Sequence, residues 1–321
     1  MSPRFLALFI ARRIVALLVL LLIISFGVFT LLYLAPGSVE DILRGTRPQT
    51  PETTQAIREQ YHLNDSFLMQ YWIWLKDAIH GDFGSSIRTS EPVIDGIESL
   101  AALSAYLGLY AFAIVMLFGV PLGALAALRK RTTVDRGIVG LGVVGVSAPA
   151  FATGIFLLYL FAVRVSWFPA YGQGSGFWDR IWHLTLPAVA LALTGMALVI
   201  KLTRAAMINS LDQDYVVFAR ARGIPARRVL VTYAFRNALV PVVTAAGLIL
   251  GYLLTGAVLV EVTFALPGVG ALLVESVTFK DVPMVQGVTL LVAAVIILIN
   301  LLTDVLYLFV DPRVRFGRGA S

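Results

Sequence analysis

The chain has 321 residues, 59% of them hydrophobic and 14% charged, well below the ~25% charged of an average soluble domain, so water is not its main solvent. Its net charge of +6 is scattered between apolar blocks instead of gathered in one patch, which weighs against nucleic acid and marks membrane-flanking charge. The absence of cysteine excludes disulfides, thiolate metal sites and thiol nucleophiles.

From the N-terminus, the apolar residues arrive in six uncharged stretches: Ile14 to Leu34, Leu100 to Leu128, Gly137 to Val163, His183 to Ile200, Asn237 to Val260 and Val285 to Thr303. Each is near or above the ~18 residues that cross a hydrocarbon core as a helix. The first follows Arg4, Arg12 and Arg13, as a secretory signal would. Its apolar run nevertheless exceeds the ~7–15 residues of a signal core, and Leu34-Ala35-Pro36 is a poor cleavage site. It is expected to stay as an anchor. The fold class predicted is all-α, a polytopic membrane protein of six transmembrane helices. Residues 1–34 form a cytoplasmic arm and the first span, 35–99 an external region, and 100–321 the transmembrane core.

In the external region, Pro36-Gly37 opens the segment, Thr53 to Gln60 reads as a helix, and Tyr71-Trp72-Ile73-Trp74-Leu75 is rich in rings. Trp72 and Trp74 read as amphipathic anchors at the membrane interface, with a docking surface for an external partner as the alternative. Gly81-Asp82-Phe83-Gly84-Ser85-Ser86 is turn-rich and lacks the lysine of a phosphate loop. Further along, Pro121 and Pro149 are kink candidates, shaping a path or simply packing. Gly247, Gly251 and Gly256 read as close helix contacts. Asp304, near the cytoplasmic end of the last stretch, reads as a packing or water-facing carboxylate before a substrate ligand.

Placing the N-terminus in the cytoplasm puts 17 of the 25 lysines and arginines inside, among them Arg129 to Arg131, Arg136 and the C-terminal Arg313, Arg315 and Arg318. That asymmetry orients the chain with both termini cytoplasmic.

The longest internal segment, 201–236, contains Asp212-Gln213-Asp214-Tyr215-Val216-Val217-Phe218-Ala219-Arg220-Ala221-Arg222-Gly223-Ile224-Pro225. It reads as a short helix with marked ends. Asp212 or Asp214 caps the start, Gly223 supplies a left-handed stop, and Pro225 opens the next helix. A helix over Tyr215 to Arg222 is too short to stand alone in water, where ~12–15 residues are marginal, so something must hold it. Tyr215, Phe218, Ala219 and Arg222 are spaced to share one face, the shape of a plug for a groove. An interfacial helix with Arg220 and Arg222 on lipid phosphate fits the pattern equally well.

This loop resembles the "EAA" loop of permease subunits of ABC importers, in particular oligopeptide and dipeptide permeases. Ala219 stands four residues before Gly223, and Asp214-Tyr215-Val216 with Ala219-Arg220-Ala221-Arg222-Gly223 matches the peptide-type run. The resemblance extends along nearly the whole chain, through Arg12-Arg13, Leu34-Ala35-Pro36-Gly37, Gln70-Tyr71, Gly81-Asp82-Phe83-Gly84, Ser147-Ala148-Pro149-Ala150-Phe151, Phe168-Pro169-Ala170, Arg236 to Pro241, Pro267 to Gly270 and Asp311-Pro312-Arg313. Val217 replaces the first glutamate of the general motif and Arg236 stands where many ABC permeases have proline, both usual in peptide-type members.

The resemblance implies a type I importer permease in a bacterial plasma membrane, a coupling helix seated on one of two ATP-binding subunits, a second homologous permease, an external solute-binding protein and a peptide substrate. ATP and magnesium would lie on the partner subunits and none on this chain, which has no Gly-Lys pair and hence no phosphate loop. Import of glutathione, a nickel chelate or another small solute is the alternative, and a secondary transporter is a further one. An enzyme is not expected: of the three histidines, His62, His80 and His183, none is placed to activate Ser147.

Overall fold

The computed structural model describes residues 3–45 and 47–310. In chain order the helices are α1 (Pro3–Leu34), α2 (Val39–Arg44), α3 (Pro51–Gln60), α4 (Phe67–Ile79), α5 (Val93–Ile114), α6 (Val120–Leu128), α7 (Thr133–Ser147) and α8 (Ala150–Leu157). They continue as α9 (Gly176–Leu211), α10 (Asp214–Ala221), α11 (Ala226–Arg228), α12 (Arg236–Thr263), α13 (Val269–Thr278) and α14 (Val282–Val310). Three π-helical stretches, Val115–Gly119, Leu158–Arg164 and Val229–Phe235, extend their neighbours. Five helical runs are long and apolar enough to cross a membrane, at five of the six expected stretches, and the bent pair α7 and α8, at the remaining stretch, makes six when counted as one span. The C-terminal Arg313, Arg315 and Arg318, and the Asp311-Pro312-Arg313 match, lie outside the described residues.

At Pro149, one of the two kink candidates, the third stretch is broken into two arms with a bend of 101° between them. The break sits where the residue before a proline resists the helical conformation. Ala148 is extended, at φ −102° and ψ 134°, and Pro149 follows at ψ 146°. Pro121 behaves otherwise: the π-helical turn 115–119 precedes it, and the span continues unbroken from Val93 to Leu128.

The chain divides into two units. One comprises, of the described residues, those within 3–104 and 267–298. Its external helices are started by side-chain caps: Ser38 Oγ accepts from the Asp41 N–H at 3.0 Å, and Thr50 Oγ1 from Thr53 at 3.1 Å. Phe67, Tyr71 and Trp74 of α4 lie against Phe26, Phe29 and Tyr33 of α1, with ring centroids 4.9 to 5.8 Å apart. The two tryptophans are therefore split, Trp74 joining this cluster while Trp72 is 62% exposed. Period explains it: residues two apart on a helix do not share a face. Helix α13 was not anticipated. Its Val269 packs with Phe83, Val93, Ile97, Met284 and Val288, and Arg88 pairs with its Glu275. Asp281, buried at the start of α14, accepts from the Ser86 hydroxyl and, at 3.2 Å, from the Ile87 N–H, so the external chain is tied down by a charge-assisted hydrogen bond.

The other unit comprises, of the described residues, 105–266 and 299–310. Helix α9 is its axis, touching α6, α7, α8 and α12. Ala188, Ala190, Ala192 and Gly195 are buried on more than one side of it, and such small residues let backbones approach closely without a hydrophobic drive between spans. A Cβ on Gly123 would stand 2.7 Å from the Ile200 carbonyl oxygen, and one on Gly247 would fall 1.8 Å from Thr303 Oγ1. The expected glycine contacts thus hold at 247, and at 256 against Leu191. Gly247→Val is expected to lower stability by ~1–3 kcal/mol through overpacking, read as a lower unfolding midpoint in detergent. Asp304 is half-buried, one residue beyond that Thr303 contact.

Candidate functional site

The segment 201–236 is less a loop than a helical corner. Helix α9 runs straight on to Leu211, so its 36 residues exceed both the 18-residue stretch expected and the ~20 residues needed to cross a bilayer. Asp212 ends that helix and pairs with Lys130 at 3.6 Å, which takes it from the capping role expected. Gln213 is the N-cap of α10, and Asp214 sits in its first turn, where the helix dipole favours a carboxylate.

The far end of α10 closes as the sequence indicated. Gly223 adopts φ +71°, its N–H donates to the Arg220 carbonyl at 2.9 Å, and the Ile224 N–H donates to the Ala219 carbonyl at 3.2 Å. This pair of bonds is the Schellman closure, and Ile224 folds back onto the same apolar cluster as Ala219. Pro225 follows in extended conformation, and its carbonyl accepts from the Val229 N–H at 3.1 Å, opening the next helix.

The hold on this eight-residue helix is a small apolar cluster: Val216 and Ala219 are buried against Val229, with Leu211, Tyr215, Ile224 and Tyr233 around them. The Tyr215 hydroxyl accepts from Asn237 Nδ2 at 3.2 Å. The face expected from spacing is corrected here. Tyr215 and Ala219 turn inward, Val216 joins them, and Phe218 turns out, 68% exposed beside Val217 at 56%. Arg220 and Arg222 are exposed as well. The sharp turn at Gly223 brings the chain back across one side of α10, so burial selects Val216 and Ala219 as the inner side and leaves Val217 and Phe218 bare.

Two charged residues anchor the corner, and neither was singled out in the sequence. Asp135 accepts from Arg204 Nε at 2.6 Å and Nη2 at 2.7 Å, and from the Arg131 N–H at 2.9 Å, with its side chain only 6% exposed. The Thr132 hydroxyl caps α7 by accepting from the Asp135 N–H at 3.4 Å. Thr132-x-x-Asp135 was a legible helix start, but nothing local pointed to Arg204. Below the corner, Ala127, Met207, Ala234 and Ala238 pack together. Pro121, Pro149 and Asp304 belong to the spans and are not part of this corner.

In this unit the spans pack around the long α9, which leads into the short α10, held by its inner face and exposed on its outer one. Residues 119–316 match the family "Binding-protein-dependent transport system inner membrane component", and residues 6–97 match its N-terminal companion. The chain belongs to that family. It is 37% identical over 96% of its length, and 98% of the relative's, to a peptide transport system permease protein of Brucella abortus (strain 2308). It is 36% identical to the dipeptide transport system permease protein DppB of Bacillus subtilis (strain 168), covering 97% of this chain and 98% of that one. The glutathione transport system permease protein GsiC of Escherichia coli (strain K12) is 34% identical, covering 96% and 99%. A chain of the inward-facing MetNI methionine ABC transporter shares the fold, with a TM-score of 0.51 and 16% identity over 65% of this chain and 92% of that one. The protein is thus a permease subunit of an ABC importer, a multi-pass protein of the inner membrane, whose family works with ATP-binding and substrate-binding partners.

Proposed function

We propose that this chain forms one half of the path for dipeptides or oligopeptides, with a second homologous permease as the other half. Two separate subunits hold ATP and magnesium, an external solute-binding protein delivers the cargo, and α10 is the element that seats on one ATP-binding subunit. The observation that carries the coupling role is the outer face of α10. Phe218 and Val217 expose apolar surface on a helix whose inner face is already packed and whose C-terminal end is already closed, and Arg220 and Arg222 beside them suit an acidic rim. The peptide substrate rests on the names of the relatives. Glutathione is the second reading, favoured by the similar identity to GsiC, and both cargoes share a peptide backbone.

The natural lack of cysteine makes the test direct. Phe218→Cys, carrying a thiol-linked photoactivatable reagent, is expected to crosslink to an ATP-binding subunit in the assembled complex. The same reagent on Leu141→Cys, an exposed residue within the third span, is expected not to. Adducts to lipid alone from position 218 would overturn the coupling role. Uptake of labelled dipeptide, competed with glutathione, separates the two cargoes.

A further inference from the structure

At the external end of α9 a charged group stands without a charged partner. Arg180 lies one turn into the helix, its Nε shut off from solvent and without a hydrogen-bond partner. Its guanidinium carbon is 5.4 Å from the centroid of the Tyr106 ring. Asp179, next in sequence, points elsewhere: it accepts from the Ser175 N–H at 2.7 Å and approaches His183 at 3.2 Å. Among the described residues Arg180 makes no ion pair. Beside it is a cavity of about 220 Å³ lined by Tyr106, Tyr110, Phe177, Ile181 and Leu184.

Arg180 is half-buried, and the edge of its guanidinium that carries Nε is closed to water; that edge lacks an acceptor, which a ring face does not supply. The cavity is apolar except at that guanidinium and the tyrosine hydroxyls, of which Tyr110 is already bonded to Thr185 at 3.1 Å. Depth identifies the source of the anion. Trp167, Tyr171, Phe177 and Trp178 are all more than 60% exposed around this end of α9, and exposed rings of this kind mark the headgroup level of a bilayer. We infer that Arg180 and this cavity hold one phospholipid of the outer leaflet, its phosphodiester on the guanidinium and the first methylenes of an acyl chain along Phe177, Ile181 and Leu184. Arginine presents a planar fork of donors suited to phosphate, and its charge at this depth is matched by one that the membrane itself supplies.

The test uses the purified transport complex in mixed vesicles containing photoactivatable phosphatidylglycerol, with labelled peptides mapped by mass spectrometry. Labelling within residues 106–110 or 176–184 is expected, falling at least fivefold in Arg180→Gln and largely retained in Arg180→Lys. A diacylglycerol probe with the same chains and no phosphate is expected not to label there. Should Arg180→Gln fail to assemble, displacement of the label from the natural protein by unlabelled phosphatidylglycerol, but not by diacylglycerol, carries the same information. Equal labelling by the phosphate-free probe overturns the inference. So does displacement of the label by a peptide with a free C-terminal carboxylate but not by its amide, which would make the cavity a cargo site.

Discussion

Replacing Ala219 by glutamate is expected to abolish ATP-driven uptake while the protein still inserts in the membrane. Ala219 is 4% exposed and lies against Val216 and Val229. Burying a carboxylate there without a partner costs several kcal/mol, about what so small a cluster contributes through apolar burial. An eight-residue helix has no reserve of its own, so the local structure of the corner is lost and not merely shifted. The six spans do not depend on it. Gly223→Pro attacks the same closure differently, since proline cannot adopt φ +71° and has no N–H for the Arg220 carbonyl. Uptake in cells, read beside the amount of protein in the membrane fraction, checks both. Normal uptake in either variant would remove the coupling role of α10.

Asp135→Ala is expected to cost about 3 kcal/mol, the lower end of the ~3–5 typical of breaking a buried pair, because Arg204 keeps 29% exposure. The loss falls where α7 begins and α9 emerges, so unfolding in detergent should begin at a lower temperature and the corner should exchange its amides sooner. Most of the cost is the stranded guanidinium. Removing it as well, in Asp135→Ala with Arg204→Leu, should return part of the stability, and a strictly additive double variant would show that the bidentate contact contributes nothing.

The reach of the sequence followed the range of the forces. The spans were legible because solvation acts on each residue separately, and the Gly223 stop because a left-handed turn is decided within a few residues. The inner side of α10 was not legible, since the helical period says which residues share a face and not which face the returning chain will cover. Phe218 and Ala219 share the expected face by spacing and end on opposite sides for that reason. Asp135 and Arg204 meet across 69 positions, and Ser86 and Asp281 across 195, with no pattern near either to announce the other. Helix α13 was hidden in a stretch too short to read as a span, and Pro149 was legible as a kink candidate while the size of the bend was not, since a proline rule acts on one residue and the angle is set by what the two arms pack against.

Helix α9 has a mechanical meaning beyond its packing. At ~1.5 Å per residue its 36 residues make one rod of roughly 54 Å, longer than the ~30 Å hydrocarbon layer it crosses. Its hydrogen-bond ladder loses a rung at Pro187, which has no N–H to give, and that is its point of compliance. A twist or tilt imposed at Asp212 would therefore be carried as by a single shaft as far as Pro187, where the helix can yield. The work needed is set by the neighbours it must slide past, and no turn of the helix itself has to melt.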